Sequence, residues 1–256
     1  MKKLSKKDRI ILAVAGVALA IALCCQGWYY WPWFGGRVVR IHNYWNHFEE
    51  ISVSSDDIPF ITNHSPYSKH QVIKYFHDIA LRMEDQPLVR TVRKWETPLC
   101  VYIIGTPDTE DRIVLNEIFK FLNDIPGFPG INEVNSLEDA NVQLRFVDEH
   151  MPKGATGFFN ILSIDEKGNL AGIDIWIRNE LTRYKKTSVL WEELLQATGP
   201  MNDSLLTADT LFYKGTEDIL RASELDHTLL EMLYHPLVYS GMDFLQCFSV
   251  FLLYLR

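Results

Sequence analysis

Residues 191–202 read Trp-Glu-Glu-Leu-Leu-Gln-Ala-Thr-Gly-Pro-Met-Asn, and the fold follows from what precedes and ends them. They close a predicted helix over 187–198, stopped by Gly199, a residue suited to the left-handed backbone just past a helix end. Before it, the apolar runs 158–164 and 170–177 flank Asp165, Glu166, Lys167, Gly168 and Asn169, the pattern of a hairpin. Further out, 140–147 sets Val142, Leu144 and Phe146 at every second position, the period of a half-buried strand. Val114, Ile118, Phe121 and Leu122 predict a helix over 110–123, and Val101, Ile103 and Ile104 a strand within 95–104. Ser68 with Gln71 has capping-box form, followed on one helical face by Val72, Ile73, Phe76, Ile79, Ala80 and Met83. On the C-terminal side, Ser223 with Asp226 starts a helix backed by Leu225, Leu229, Leu230, Met232 and Leu233 and ended by Pro236. The apolar tail 242–255 has fourteen residues, too short for a bilayer, and reads as a packed terminal helix. Helix, strand, helix, strand, hairpin and three helices predict an α+β domain over 68–256, one mixed sheet covered by helices.

A different kind of segment stands at the start. Residues 10–25 are sixteen in a row without a polar side chain, and the uncharged stretch continues to Gly36. That length suffices for a membrane span of roughly 20 residues. Lys2, Lys3, Lys6, Lys7 and Arg9 precede it, and Trp28, Tyr29, Tyr30, Trp31 and Trp33 follow it, a basic inner flank and an interfacial aromatic belt. The expected layout is a cytoplasmic segment 1–9, a signal-anchor 10–34, a linker and irregular region 35–67, and the domain on the non-cytoplasmic side. A cleaved signal peptide, using Ala20 and Ala22, and a lipoprotein site at Cys24, against which the bulky Leu23 counts, are the alternatives. All three export the domain.

Residues 1–9 carry a net +4, so the rest of the chain holds −12 of the total −8. An acidic exported domain is a poor partner for nucleic acid. Cys100 and Cys247 fall in the domain, where an oxidising compartment would permit a disulfide, and two buried thiols are the alternative. His70 and His77, seven apart, His42 and His47 near Trp45, and the lone His227 and His235 bring together no third ligand in sequence, so no metal or other cofactor is expected.

The stretch 191–202 resembles H-E-x-x-H-x-x-G-x-x-H, the zinc signature of metzincin proteases. Glu192 is set on the general-base position and Gly199 on the turn glycine, with Trp191, Gln196 and Asn202 in place of the three histidines. An indole offers no lone pair, and carboxamide oxygens bind zinc weakly beside imidazole. The 93–96 stretch Arg-Lys-Trp-Glu, the 171–177 stretch Ala-Gly-Ile-Asp-Ile-Trp-Ile and Ala222 to Asp226 with Leu233 and Tyr234 resemble segments of matrix-metalloprotease-like domains, in order. The stretch 210–213, in the place of a methionine turn, carries Phe212 instead. Glu192, Glu193, Leu194, Gln196 and Gly199, then Asn202, Asp203 and Ser204, then Leu233, Tyr234, Pro236, Gly241 and Met242 are similar to a bacterial family, domain of unknown function 2927. These resemblances imply a zincin-like fold and carry over no activity.

Three functions follow. The first is a non-catalytic domain whose cleft, at Trp191, Gln196, Asn202 and Asp203, binds a peptide or protein partner. The second is a hydrolase working without zinc through Glu192, with Glu193 or Asp203 beside it. The third is a purely structural envelope component in which even the cleft is filled; the plainest reading of Glu192 and Gln196 themselves is a helix-surface pair with Trp191, Leu194, Leu195 and Thr198 facing the core. For the anchor common to all three, the chain is expected to stay in the membrane pellet after alkaline extraction, with a C-terminal tag open to protease added from outside. Val17→Arg, costing about 2.5–3.5 kcal/mol near the centre of a span, is expected to weaken that retention.

Overall fold

The computed structural model describes residues 58–82, 91–149, 151–215 and 219–256. The apolar segment 10–34, most of the linker and Met83 lie outside them. A compact unit runs from Phe60 to Arg256. Its elements are α1 (Lys69–Ala80), β1 (Leu99–Ile104), α2 (Thr109–Asn123), β2 (Ile131–Glu133), β3 (Val142–Val147), β4 (Gly157–Ile164), β5 (Leu170–Arg178), α3 (Arg183–Gln196), α4 (Glu224–Leu233) and α5 (Phe244–Tyr254).

The sheet is mixed, in the order β2-β1-β3-β5-β4. β1, β2, β3 and β5 run parallel, and β4 pairs antiparallel to β5 at the end of the row. Register puts Val101, Val142 and Ile173 on one face with Leu144, Ile175, Phe146 and Ile177. All seven are buried, and α2 and α3 lie against this side of the strands. The alternate positions carry Gln143, Arg145, Asp174 and Trp176. Arg145 Nε donates to Asp174 at 2.7 Å and the guanidinium lies 5.0 Å from the Trp176 ring centre.

Local signals set most boundaries. Capping boxes start α1 at Ser68 and Gln71, α4 at Ser223 and Asp226, and α5 at Asp243 and Gln246. Three expectations need correction. The strand expected from Trp95 starts at Leu99, because Trp95 turns its indole into the core. α3 begins at Arg183, four residues early: Thr182 caps it, and its polar first turn is held by ion pairs of Arg183 to Glu110 and of Lys186 to Asp111. β2, three residues long, was not expected, and a strand that short has no period to read. Cys100, half-buried, and Cys247, buried, are both free thiols, so the possible disulfide is absent. Burial pushes the Cys247 thiol upward.

α1, α4 and the 204–213 loop meet at Asp226. Its buried carboxylate accepts from Tyr75 OH at 2.8 Å, Ser223 N–H at 2.8 Å, Ser223 Oγ at 2.8 Å and Leu211 N–H at 3.2 Å. Removing such an acceptor leaves buried donors unpaired. Asp226→Ala is therefore expected to cost about 3 kcal/mol or more in a urea titration. Burial raises the Asp226 carboxyl above the usual aspartate range, against the opposing pull of its hydrogen bonds. A raised folded value contributes stability below the unfolded value that is lost as pH climbs through the folded one. The stability gap between the parent and Asp226→Asn should narrow over that same rise in pH.

Candidate functional site

α3 ends in the interior, so its last carbonyls need partners other than water. The Trp95 indole N–H donates to Ala197 O at 2.9 Å, and Tyr234 OH to Thr198 O at 2.7 Å. Both rings are buried, and burial raises the Tyr234 phenol. Thr198 and Gly199 N–H close tight turns onto Leu195 O and Gln196 O, each at 3.0 Å. Gly199 then takes φ +135°, and a Cβ there would lie 2.4 Å from Arg93 O. The expected glycine stop is correct, and its cause is both backbone conformation and close approach.

This turn delivers Asn202 and Asp203 back beside the helix. Gln196 Nε2 donates to Asp203 Oδ1 at 3.1 Å, and Asn202 Nδ2 donates to Asp78 O and Asp203 O, each at 2.8 Å. Gln196 is buried, which corrects the picture of an exposed helix pair. Next in the chain, Ser204 bridges to Tyr213 and its N–H donates to Phe212 O at 2.7 Å, so the 210–213 stretch packs beside this turn with Phe212 fully buried.

Trp191 does not belong to this group. Five residues separate it from Gln196, about 140° around a helix, whereas Glu192 and Gln196, four apart, share a face. Trp191 is buried, its ring edge-on to Phe121 of α2 at 5.5 Å, with its indole nitrogen unbonded. Counted back from Asn202 and Gly199, the signature's first ligand position falls on Glu192 and its general-base position on Glu193. The frame set on Trp191 and Glu192 is therefore one residue early. Glu192 is half-exposed and Glu193 buried.

Glu193 faces the edge strand. A Cβ on Gly157, the first residue of β4, would lie 2.7 Å from Glu193 Oε1 and 2.4 Å from Val189 Cγ1. Only glycine lets the helix come this near. Arg178 N–H donates to Thr156 O at 2.9 Å, and in an antiparallel pair bonded and non-bonded positions alternate. Phe158 and Asn160 therefore bond β5, while Gly157, Phe159 and Ile161 turn their N–H and C=O to the outer side. Among the described residues β4 has no strand on that side. A register shift after Ile161 marks a bulge, and Leu162 and Ile164 beyond it are exposed.

Two carboxamides with their N–H groups committed and one carboxylate make a weak zinc set. Glu192, Glu193 and Asp203 are not gathered within ligand distance of one another; the described residues that are so gathered are His64, His227 and Glu231. Of the other histidines, His70 is exposed, His77 lies 3.2 Å from Asp78, and His235 is buried, its Nδ1 accepting from Leu237 N–H. His42 and His47 lie outside the described residues.

A family model described as "Protein of unknown function (DUF2927)" matches residues 69–251, and the chain belongs to that family. No curated protein matches the chain. The match spans α1 through most of α5 and so includes the α3 turn and both residues that cap it.

The turn has a direct test. Gly199→Ala is expected to cost about 3 kcal/mol or more, since the backbone and the Arg93 carbonyl both resist a side chain. Tyr234→Phe, which leaves Thr198 O unpaired, should cost about 1–3 kcal/mol. Chemical denaturation of the two variants measures both.

Proposed function

We propose that this is a membrane-anchored envelope protein whose domain, zincin-like in plan and lacking the zinc ligands, binds an extended peptide or protein segment without cutting it. The outward edge of β4 beside Glu193 carries this reading. An extended chain bonding Gly157, Phe159 and Ile161 would add a strand to the sheet on the edge where Val189 and Glu193 of α3 approach β4. The bulge after Ile161 ends the accepting stretch and restrains indiscriminate edge pairing.

The zincin-like plan is supported by a helix following a hairpin, by Gly199 at positive φ, and by Glu193 and Gly199 standing at the base and glycine positions of one signature frame. The non-catalytic reading is supported by chemistry. Glu193 occupies a base position, yet the three ligand positions around it hold Glu192, Gln196 and Asn202, and neutral carboxamide oxygens bind zinc weakly beside imidazole. Membrane attachment rests on the apolar segment 10–34 and its flanks. Among the described residues no helix is long and apolar enough to cross a membrane.

A second reading, a hydrolase that needs no zinc, is favoured by the buried Glu193 against the strand that would hold the peptide. A fluorescent decapeptide of alternating valine and threonine, titrated against the full chain, separates the two. The expected result is saturable binding, weakened about tenfold or more by Phe159→Pro, which removes an outward N–H and spares the bonds to β5, with the peptide recovered whole. Cleavage abolished by Glu193→Gln would establish the hydrolase instead. No binding to any extended peptide would leave a structural role.

A further inference from the structure

A second cluster lies apart from the α3 turn. On α4, His227 and Glu231 are four residues apart and so share a side of the helix. The strip 61–64 crosses that side. It is fastened to the chain end by Ile61 N–H to Tyr254 O at 2.9 Å, Asn63 N–H to Arg256 O at 2.9 Å and Arg256 N–H to Ile61 O at 3.0 Å. It is tied to α4 by Thr62 N–H to Glu231 Oε2 at 3.2 Å and His64 N–H to Thr228 Oγ1 at 3.1 Å. These bonds set the His64 ring edge-on to the His227 ring, centres 4.6 Å apart.

We infer that His64 Nε2, His227 Nδ1 and a Glu231 carboxylate oxygen form a binding site for a transition-metal dication of the zinc class. Glu231 Oε1 lies 3.0 Å from His64 Nε2 and 3.5 Å from His227 Nδ1, and the three ligand atoms all lie within 4.8 Å of one another. Zinc bonds of about 2.0–2.1 Å at tetrahedral angles set ligand atoms about 3.3 Å apart, so two of the three separations already match. Two imidazoles and a carboxylate are a ligand set that zinc accepts, with a fourth position left for water. The exposed His64 puts that position on the solvent side.

The plainer arrangement is a carboxylate hydrogen-bonded to one histidine. It explains His64 and leaves His227 unexplained, because His227 Nδ1 is shielded from solvent, makes no hydrogen bond and points at the same carboxylate. A buried polar atom without a partner costs stability, and a metal ion would supply the partner. The ion would fasten the strip 61–64 to α4.

The test uses the full chain, stripped with chelator and titrated with zinc chloride by calorimetry. One ion per chain is expected, with a rise in melting temperature, and cobalt substituted for zinc should give the intense visible bands of a four-coordinate site. His64→Ala, at an exposed residue, and Glu231→Gln, which keeps the side chain's shape, should each weaken binding about 100-fold or more. His70→Ala, outside the cluster, should leave it unchanged. The proposal is overturned if zinc does not bind saturably at micromolar concentration, or if binding survives His64→Ala and Glu231→Gln combined.

Discussion

A helix that ends inside a protein must have its last carbonyls satisfied there, and much of this domain is arranged around meeting that need for α3. Trp95 and Tyr234 reach Ala197 O and Thr198 O from sequence positions about a hundred residues before and some thirty-five after. To deliver those two groups, the strip before β1 and the end of α4 must both lie against the turn. Lys94 O accepts from Leu170 N–H and so ties the same strip to β5. Lys94 itself is buried against the Tyr234 ring, its value lowered by desolvation and supported by Glu96 at 3.1 Å. The strip before β1, the end of α4 and β5 are thus joined through the closure of this one helix end.

The same turn decides what its polar side chains can do. With imidazoles at its ligand positions, such a turn would hold a cation. With Glu192, Gln196 and Asn202 there, it holds itself, since Gln196 and Asn202 bond Asp203 and the main chain of Asp78 and Asp203. Each carboxamide N–H group here meets a carboxylate or main-chain oxygen beside it, so the turn is closed by hydrogen bonds among its own neighbours. Beside this turn, the helix is brought against an edge strand through a residue with no side chain, Gly157.

The α+β class, the hairpin, the capping boxes at Ser68 and Ser223 and the glycine stop were legible because each is written within a few residues. Turn chemistry, capping and periodicity act over one or two turns of chain. The start of α3 was not legible, because its first turn is polar and is held by Glu110 and Asp111 of another helix. The one-place shift of the signature frame is legible in the sequence itself, since the spacing back from Gly199 and Asn202 puts Glu192 and Gln196, not Trp191, on the ligand positions; what the fold adds is that Trp191 packs on Phe121.

By itself, then, the amino-acid order determined which segments are helices and strands, where most of them begin, and that zinc has no three-histidine seat at 191–202. Tertiary structure alone decided the strand order, the three-residue β2, the two free thiols, the outward edge of β4 and the meeting of His64 with His227 and Glu231. The reason is physical. Local patterns are fixed by torsions and hydrogen bonds between near neighbours, whereas a contact such as His64 to Glu231 joins positions 167 residues apart and exists only once the packed core has chosen which surfaces touch.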